Sequence, residues 1–183
     1  MSCRRYVLLL MGMAMALASC TRTPPGVQHE EMRILANWIE DSVHGIPRRP
    51  GELELFGASA EFTQAAQWAM GNTIRERRMP PQQIQARITR APALKAALRS
   101  QVVHIDARQG MVGPAPQLTG ADFVLAAQIA DNENRDRRTI DAVVLSRSEA
   151  SSEAAAWYRE AAREARVAHD LTAGGTEWPA KAP

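Results

Sequence analysis

The sequence predicts a mainly α protein: a small helical domain with one short β-hairpin or extended loop. Three observations point there. Alanine is abundant and aromatics make up only 5% of the 183 residues, a composition that favours helix over strand. Apolar residues recur at three- and four-residue spacing along most of the chain, the period of an amphipathic helix. Long Val/Ile/Thr alternations are missing, and the clearest departure from the helical period is residues 101–113, centred on Gly110.

The elements follow in order. Met32, Leu35, Ala36, Ile39 and Val43 form one stripe, with Trp38 beside it, so roughly residues 29–44 read as a helix that Gly45 and Pro47 stop. In the broken stretch 45–57, Leu53 and Leu55 alternate with Glu52 and Glu54, as in a short strand or a loop. Ser59 is positioned to cap a second helix. Its stripe runs through Phe62, Ala65, Ala66, Ala69, Met70 and Ile74, and Arg75, Arg77 and Arg78 suit its carboxyl end. Pro80-Pro81 opens a third helix with Ile84, Ile88 and Ala91 inward; Pro92 punctuates it, and Leu94 and Leu98 continue in a short helix. Val102, Val103 and Ile105, then Met111 and Val112, flank Asp106 to Gly110, the pattern of a hairpin or extended excursion. Thr119 caps a helix with Asp122 in its first turn. Phe123, Ala126, Ala127, Ala130, Ile140, Val143 and Val144 share its apolar face. A last helix covers about 152–171, with Ala154, Trp157, Tyr158, Ala161, Ala165 and Ala168 inward and Gly174-Gly175 at its end. Trp157 is expected to fill the core.

The amino terminus carries a different signal. Arg4 and Arg5 precede an apolar run from Tyr6 to Ala18, the proportions of a secretory signal. The run is short of the roughly twenty residues a spanning helix needs. Leu17-Ala18-Ser19-Cys20 resembles the lipobox of bacterial lipoprotein signal peptides. The resemblance implies cleavage before Cys20 and acylation of that residue, giving a membrane tether through lipid chains. Thr21, where Asp would mark inner-membrane retention, leans toward the outer membrane. The chain thus divides into a signal peptide (1–19), a flexible tether (20–28), a helical domain (29–173) and a mobile tail (174–183).

Removing residues 1–19 takes away two of 22 basic side chains and leaves 20 to balance 20 acidic ones. A neutral mature chain has no field to steer it to nucleic acid, so none is expected as a partner. Cys20 would be the one thiol left, and the lipid consumes it; neither a disulfide nor a cysteine nucleophile is expected. The four histidines lack metal-ligand spacing, and no Gly-x-Ser-x-Gly or phosphate-binding glycine loop occurs. No metal, cofactor or catalytic residue is expected.

One segment breaks the helical pattern in a way that bears on function. Asp131 to Arg138 reads Asp-Asn-Glu-Asn-Arg-Asp-Arg-Arg in the middle of a strongly periodic helix. Glu133, Asn134 and Arg137 fall on the side that Phe123, Ala130, Ile140 and Val144 otherwise bury. Two arrangements satisfy this phase. The helix leaves the body there, with solvated pairs such as Glu133 to Arg137. Or Glu133, Asn134, Asp136 and Arg137 form a structural or partner-binding polar cluster gripping the loop at 101–113, in which every buried charge needs a partner.

The carboxyl-terminal half resembles the YdbL-like family of small exported bacterial proteins. The resemblance rests on Pro92-Ala93-Leu94-Lys95, the extended segment from Ile105 to Val112, Glu133-Asn134-x-Asp136-Arg137 followed by Ile140, and Gly175-x-Glu177-Trp178. It spans about residues 80–180, with residues 80–173 as the YdbL-like part of the domain. It implies a periplasmic accessory of envelope proteins, not an enzyme. The expectation is therefore a lipid-anchored envelope accessory that binds or chaperones an envelope protein partner. The alternative is an envelope glycan hydrolase using carboxylates of the Glu133–Asp136 cluster. A lipid shuttle would need an apolar cavity that alanine-rich stripes hardly provide.

Overall fold

The computed structural model describes residues 25–46, 65–69, 72–74, 77–79, 81–148 and 151–177. The signal segment, Cys20, the stretch 47–57, the Ser59 cap and Trp178 lie outside the described residues. The protein is mainly helical, with antiparallel two-stranded pairs. None of the described helices is long and apolar enough to cross a membrane.

Helix α1 (Pro25–His44) begins before the expected position, so residues 25–28 are helical rather than tether. Proline at a first turn lacks only an N–H that would have had no helical partner. The α1 stripe of Met32, Leu35, Ala36, Ile39 and Val43 is buried as its spacing requires. Residues 65–69 are helical, but β1 (Asn72–Ile74) and β2 (Arg77–Met79) pair antiparallel where the second helix was expected to continue. Gly71 and Asn72 are weak helix formers, which outweighs the Ile74 phase.

Helix α2 (Gln82–Arg99) runs unbroken through Pro92, contrary to the expected break. Pro92 is exposed, whereas Ile84, Arg87, Leu94, Ala97 and Leu98 are buried on either side of it. Burial along that face outweighs a proline cost of about 3 kcal/mol. The hairpin of β3 (Val103–Asp106) and β4 (Met111–Pro114) pairs Val103 with Pro114 and Asp106 with Met111. Asp106 Oδ1 accepts from the Arg108 and Gln109 amides, and Gly110 closes the turn at φ 62°.

Helix α3 (Gly120–Arg147) follows Thr119, which makes no side-chain capping bond. Its buried residues are Ala126, Ala130, Glu133, Arg137, Ile140 and Val144, alternating four- and three-residue steps. Phe123 does not join them: it is 43% exposed, and burial on α3 begins at Ala126. Helix α4 (Ser152–Thr172) is capped by the Ser151 side chain, which accepts from the Ala154 amide. Tyr158, not Trp157, is its fully buried aromatic; Trp157 lies partly buried at the edge, against His29. Ala168 is exposed.

Residues 174–177 are not the free start of a tail. The Ile105 amide donates to the Thr176 carbonyl at 3.1 Å, and Ile105 and Glu177 form a parallel bridge. The open edge of β3 needs hydrogen-bond partners, and the segment after α4 supplies them.

His29 of α1 meets Trp157, Glu40 meets Arg166 and His44 meets His169, so α1 and α4 run parallel. Two apolar clusters result. One joins α1 to Ile84, to Ile140 and Val144, and to Ala154 through Ala162. The other joins Leu94 and Leu98 to the hairpin, Ala126, Ala130 and Ala173. On α2, α3 and α4 alike, charged residues lie between the two clusters.

Candidate functional site

Those charged residues form a buried ion-pair network. Glu40, Arg87, Glu133, Arg137, Arg166 and Asp170 are each at most 2% exposed. Three guanidiniums thus face three carboxylates, and the buried set is neutral. Each residue stands in an apolar phase of its helix: Glu40 one turn after Ala36, Arg87 after Ile84, Arg166 after Ala162 and Asp170 after Arg166.

Arg87 holds Glu40 with two parallel bonds, Nη1 to Oε1 at 2.8 Å and Nη2 to Oε2 at 2.7 Å. Its Nε donates to Glu133 Oε1 at 2.7 Å. The same Oε1 accepts from Arg137 Nε at 2.9 Å. Arg137 then reaches the Gly110 carbonyl through Nη1 at 2.9 Å and Asp170 through Nη2. Arg166 Nε donates to Glu40 Oε1 at 3.1 Å, and its Nη1 to Asp141 at 2.9 Å. Tyr158 donates to Asp141 Oδ1 at 3.2 Å. One connected set of charge-assisted bonds therefore joins all four long helices and the hairpin.

The electrostatics follow from this geometry. Burial raises the Glu133 carboxyl, but the Arg87 and Arg137 charges outweigh it and hold the group at about 2. Burial acts likewise on Glu40, and Arg87 again prevails, keeping it well below the usual carboxylate range. Burial opposes the Arg87 charge, yet Glu133 and Glu40 raise it well above its ordinary value. For Asp170 burial wins and pushes the carboxyl up despite Arg137.

The residues singled out in the sequence divide into two sets. Glu133 and Arg137 are inside the network. Asn134 lies beside it and binds the hairpin backbone: Oδ1 accepts from the Val112 amide at 3.0 Å, and Nδ2 donates to the Val112 carbonyl at 2.7 Å. Asp136 points elsewhere, pairing with Arg90 at the surface between α2 and α3. The solvated-helix arrangement therefore does not describe Glu133 and Arg137. Glu40, Arg87, Asp141, Arg166 and Asp170 were not singled out, although the misplaced-phase test that flagged Glu133 applies equally to Glu40, Arg87, Arg166 and Asp170.

The hairpin tip closes over the network. A Cβ on Gly110 would lie 2.8 Å from Arg163 Cα, and Arg163 Nη1 donates to the Ala107 carbonyl at 3.0 Å. Beside the network, between α2 and α3, lies a shallow cleft of about 120 Å³ lined by Arg90, Leu94, Gln128, Ile129 and Asn132, with Glu133 at its foot. In the first turns of α3, Phe123, Val124 and Leu125 are 43%, 65% and 57% exposed. Among the described residues no cluster of His, Cys, Asp or Glu is arranged to hold a metal ion.

The fold and site define a helical domain organised around a buried, self-neutralised ion-pair network. Compared with known protein families, curated proteins and solved structures, the chain gives no match.

Proposed function

We propose that this protein is a lipid-anchored accessory of the bacterial envelope that binds or chaperones a protein partner. The observation that carries the reading is the run Phe123-Val124-Leu125, exposed in the first turns of α3. Three consecutive large apolar side chains left in water at the start of a helix are costly unless something covers them. The network supports a binding role over the glycan-hydrolase alternative. A general acid needs a raised pKa and access to substrate. Glu133 is held near 2 by two guanidiniums and is 2% exposed, and the hairpin plugs the network.

The anchor rests on the lipobox match at Cys20, and the periplasm-facing, outer-membrane location rests on that match and on Thr21. The likeness of residues 80–173 to YdbL-like proteins is taken as kinship in this reading. Two measurements test it. Cys20→Ser should abolish acylation and release the protein from membranes; a variant that still fractionates with the envelope would remove the anchor from the reading. A photocrosslinking residue at position 124 should capture one discrete envelope protein, and Leu125→Asp should abolish the adduct while leaving the melting midpoint unchanged. An adduct pattern insensitive to Leu125→Asp would remove the apolar run from the reading.

A further inference from the structure

Because α1 and α4 run parallel, their carboxyl-terminal ends meet. His44 and His169, each in the last turn of its helix, stack there with ring centroids 4.7 Å apart and planes 5° from parallel. The two rings are not equivalent. His169 Nε2 lies 2.8 Å from Asp41 Oδ1, so a proton on His169 meets a carboxylate. Among the described residues His44 Nε2 is buried with no hydrogen-bond partner. A proton on His44 meets the His169 ring of α4, and the charges of Arg87 on α2 and Arg137 on α3 also disfavour it; Glu40, one turn back on its own helix, is the opposing charge. An imidazolium there would bury an N–H donor without an acceptor.

We propose that the His44–His169 stack is an acid-sensitive latch, holding the last turn of α1 on α4 while His44 is neutral and releasing it when His44 is protonated. The direction follows from linkage. Burial, reinforced by His169, Arg87 and Arg137 against Glu40, lowers His44 from 6.5 to about 4 in the closed state. A released His44 titrates near its ordinary value, so the open form binds the proton first. The latch is therefore fully closed above the ordinary histidine value. It weakens as pH falls through the window from 6.5 toward 4, by up to about tenfold per pH unit. Glu40 does not reverse this. Burial raises its carboxyl but Arg87 prevails, so Glu40 stays ionised throughout the window.

Hydrogen exchange on the full chain, corrected for intrinsic rates and followed from about pH 7.5 to 5, tests the latch. Peptides covering residues 38–46 should lose protection by up to about tenfold per pH unit in the lower half of that range, while residues 152–162 at the other end of α4 keep theirs. His44→Gln should make the protection of residues 38–46 independent of pH. Parallel loss in wild type and His44→Gln, or no loss in wild type, would overturn the proposal. Should His44→Gln fail to fold, imidazole NMR of the wild-type chain decides by itself. A His44 midpoint well below the ordinary histidine value supports the latch; one at or above it overturns it.

Discussion

Arg137 and Asp170, one on each of the two carboxyl-terminal helices, meet where neither touches water. Arg137 Nη2 donates to both Asp170 oxygens, at 3.1 and 2.9 Å. The same guanidinium holds Glu133 one turn back on its own helix and the Gly110 carbonyl at the hairpin tip. A single side chain thus sets α3, α4 and the hairpin relative to one another. Removing it strands the buried Asp170 carboxylate and leaves Glu133 with Arg87 alone.

Arg137→Ala should therefore destabilise the protein by about 3–5 kcal/mol, the range for breaking a buried ion pair from one side. Arg137→Lys should recover little, because an ammonium cannot serve three directions at fixed geometry. Denaturant titration measures both. A loss below about 0.5 kcal/mol, typical of an exposed site, would contradict the burial of this guanidinium.

Asn134 closes both Val112 backbone groups with one amide. Asn134→Ala should cost about 1–3 kcal/mol, since it leaves a half-buried amide and carbonyl without partners. Asn134→Asp should do no better, because it replaces the donor facing the Val112 carbonyl with a second acceptor. The Val112 amide should exchange faster in both variants. Unchanged exchange would show that the contact does not order the hairpin.

Gly110 is required twice over. Its φ of 62° is left-handed, and a Cβ would lie 2.8 Å from the Arg163 backbone. The conformation alone costs an alanine about 1–2 kcal/mol, and the close approach adds to it. Gly110→Ala should thus cost more than that conformational term. Gly45 makes a clean control: its φ is also positive, at 69°, but nothing lies within 4 Å of an added Cβ. Equal losses at the two sites would contradict the Arg163 contact.

Acid should act on the network through Glu133 and Glu40. Both carboxyls are lower in the folded protein than in an unfolded chain, so their contribution is present above the unfolded value and lost as pH falls through the folded one. For Glu133 that window runs from 4.5 down to about 2. Asp170, raised by burial, has the opposite sign and offsets part of the loss. Melting midpoints should fall across the window in the wild type, and the slope should be shallower in Glu133→Gln. An equal slope would place the acid sensitivity elsewhere.

Local periodicity by itself determined much of this protein. The stripe from Met32 to Val43, the hairpin around Gly110 and the last helix are each legible because burying a helix face or closing a turn leaves a mark within a few residues. The same phase test flagged Glu133 and Arg137 as charges where apolar residues belong. Tertiary structure decided what no single stretch contains. Helix α2 survives Pro92 because burial on both sides outweighs a local penalty. Phe123 is exposed although its phase is apolar, because phase alone does not say which turns of a helix another element covers. Trp157 yields the core to Tyr158, since spacing alone does not say which of two adjacent aromatics faces the other helices. Above all, the partners of Glu133 and Arg137 come from residues 46 positions earlier and 33 positions later. A helix records that a buried charge needs an opposite one. Only the packing of the other helices says which residue provides it.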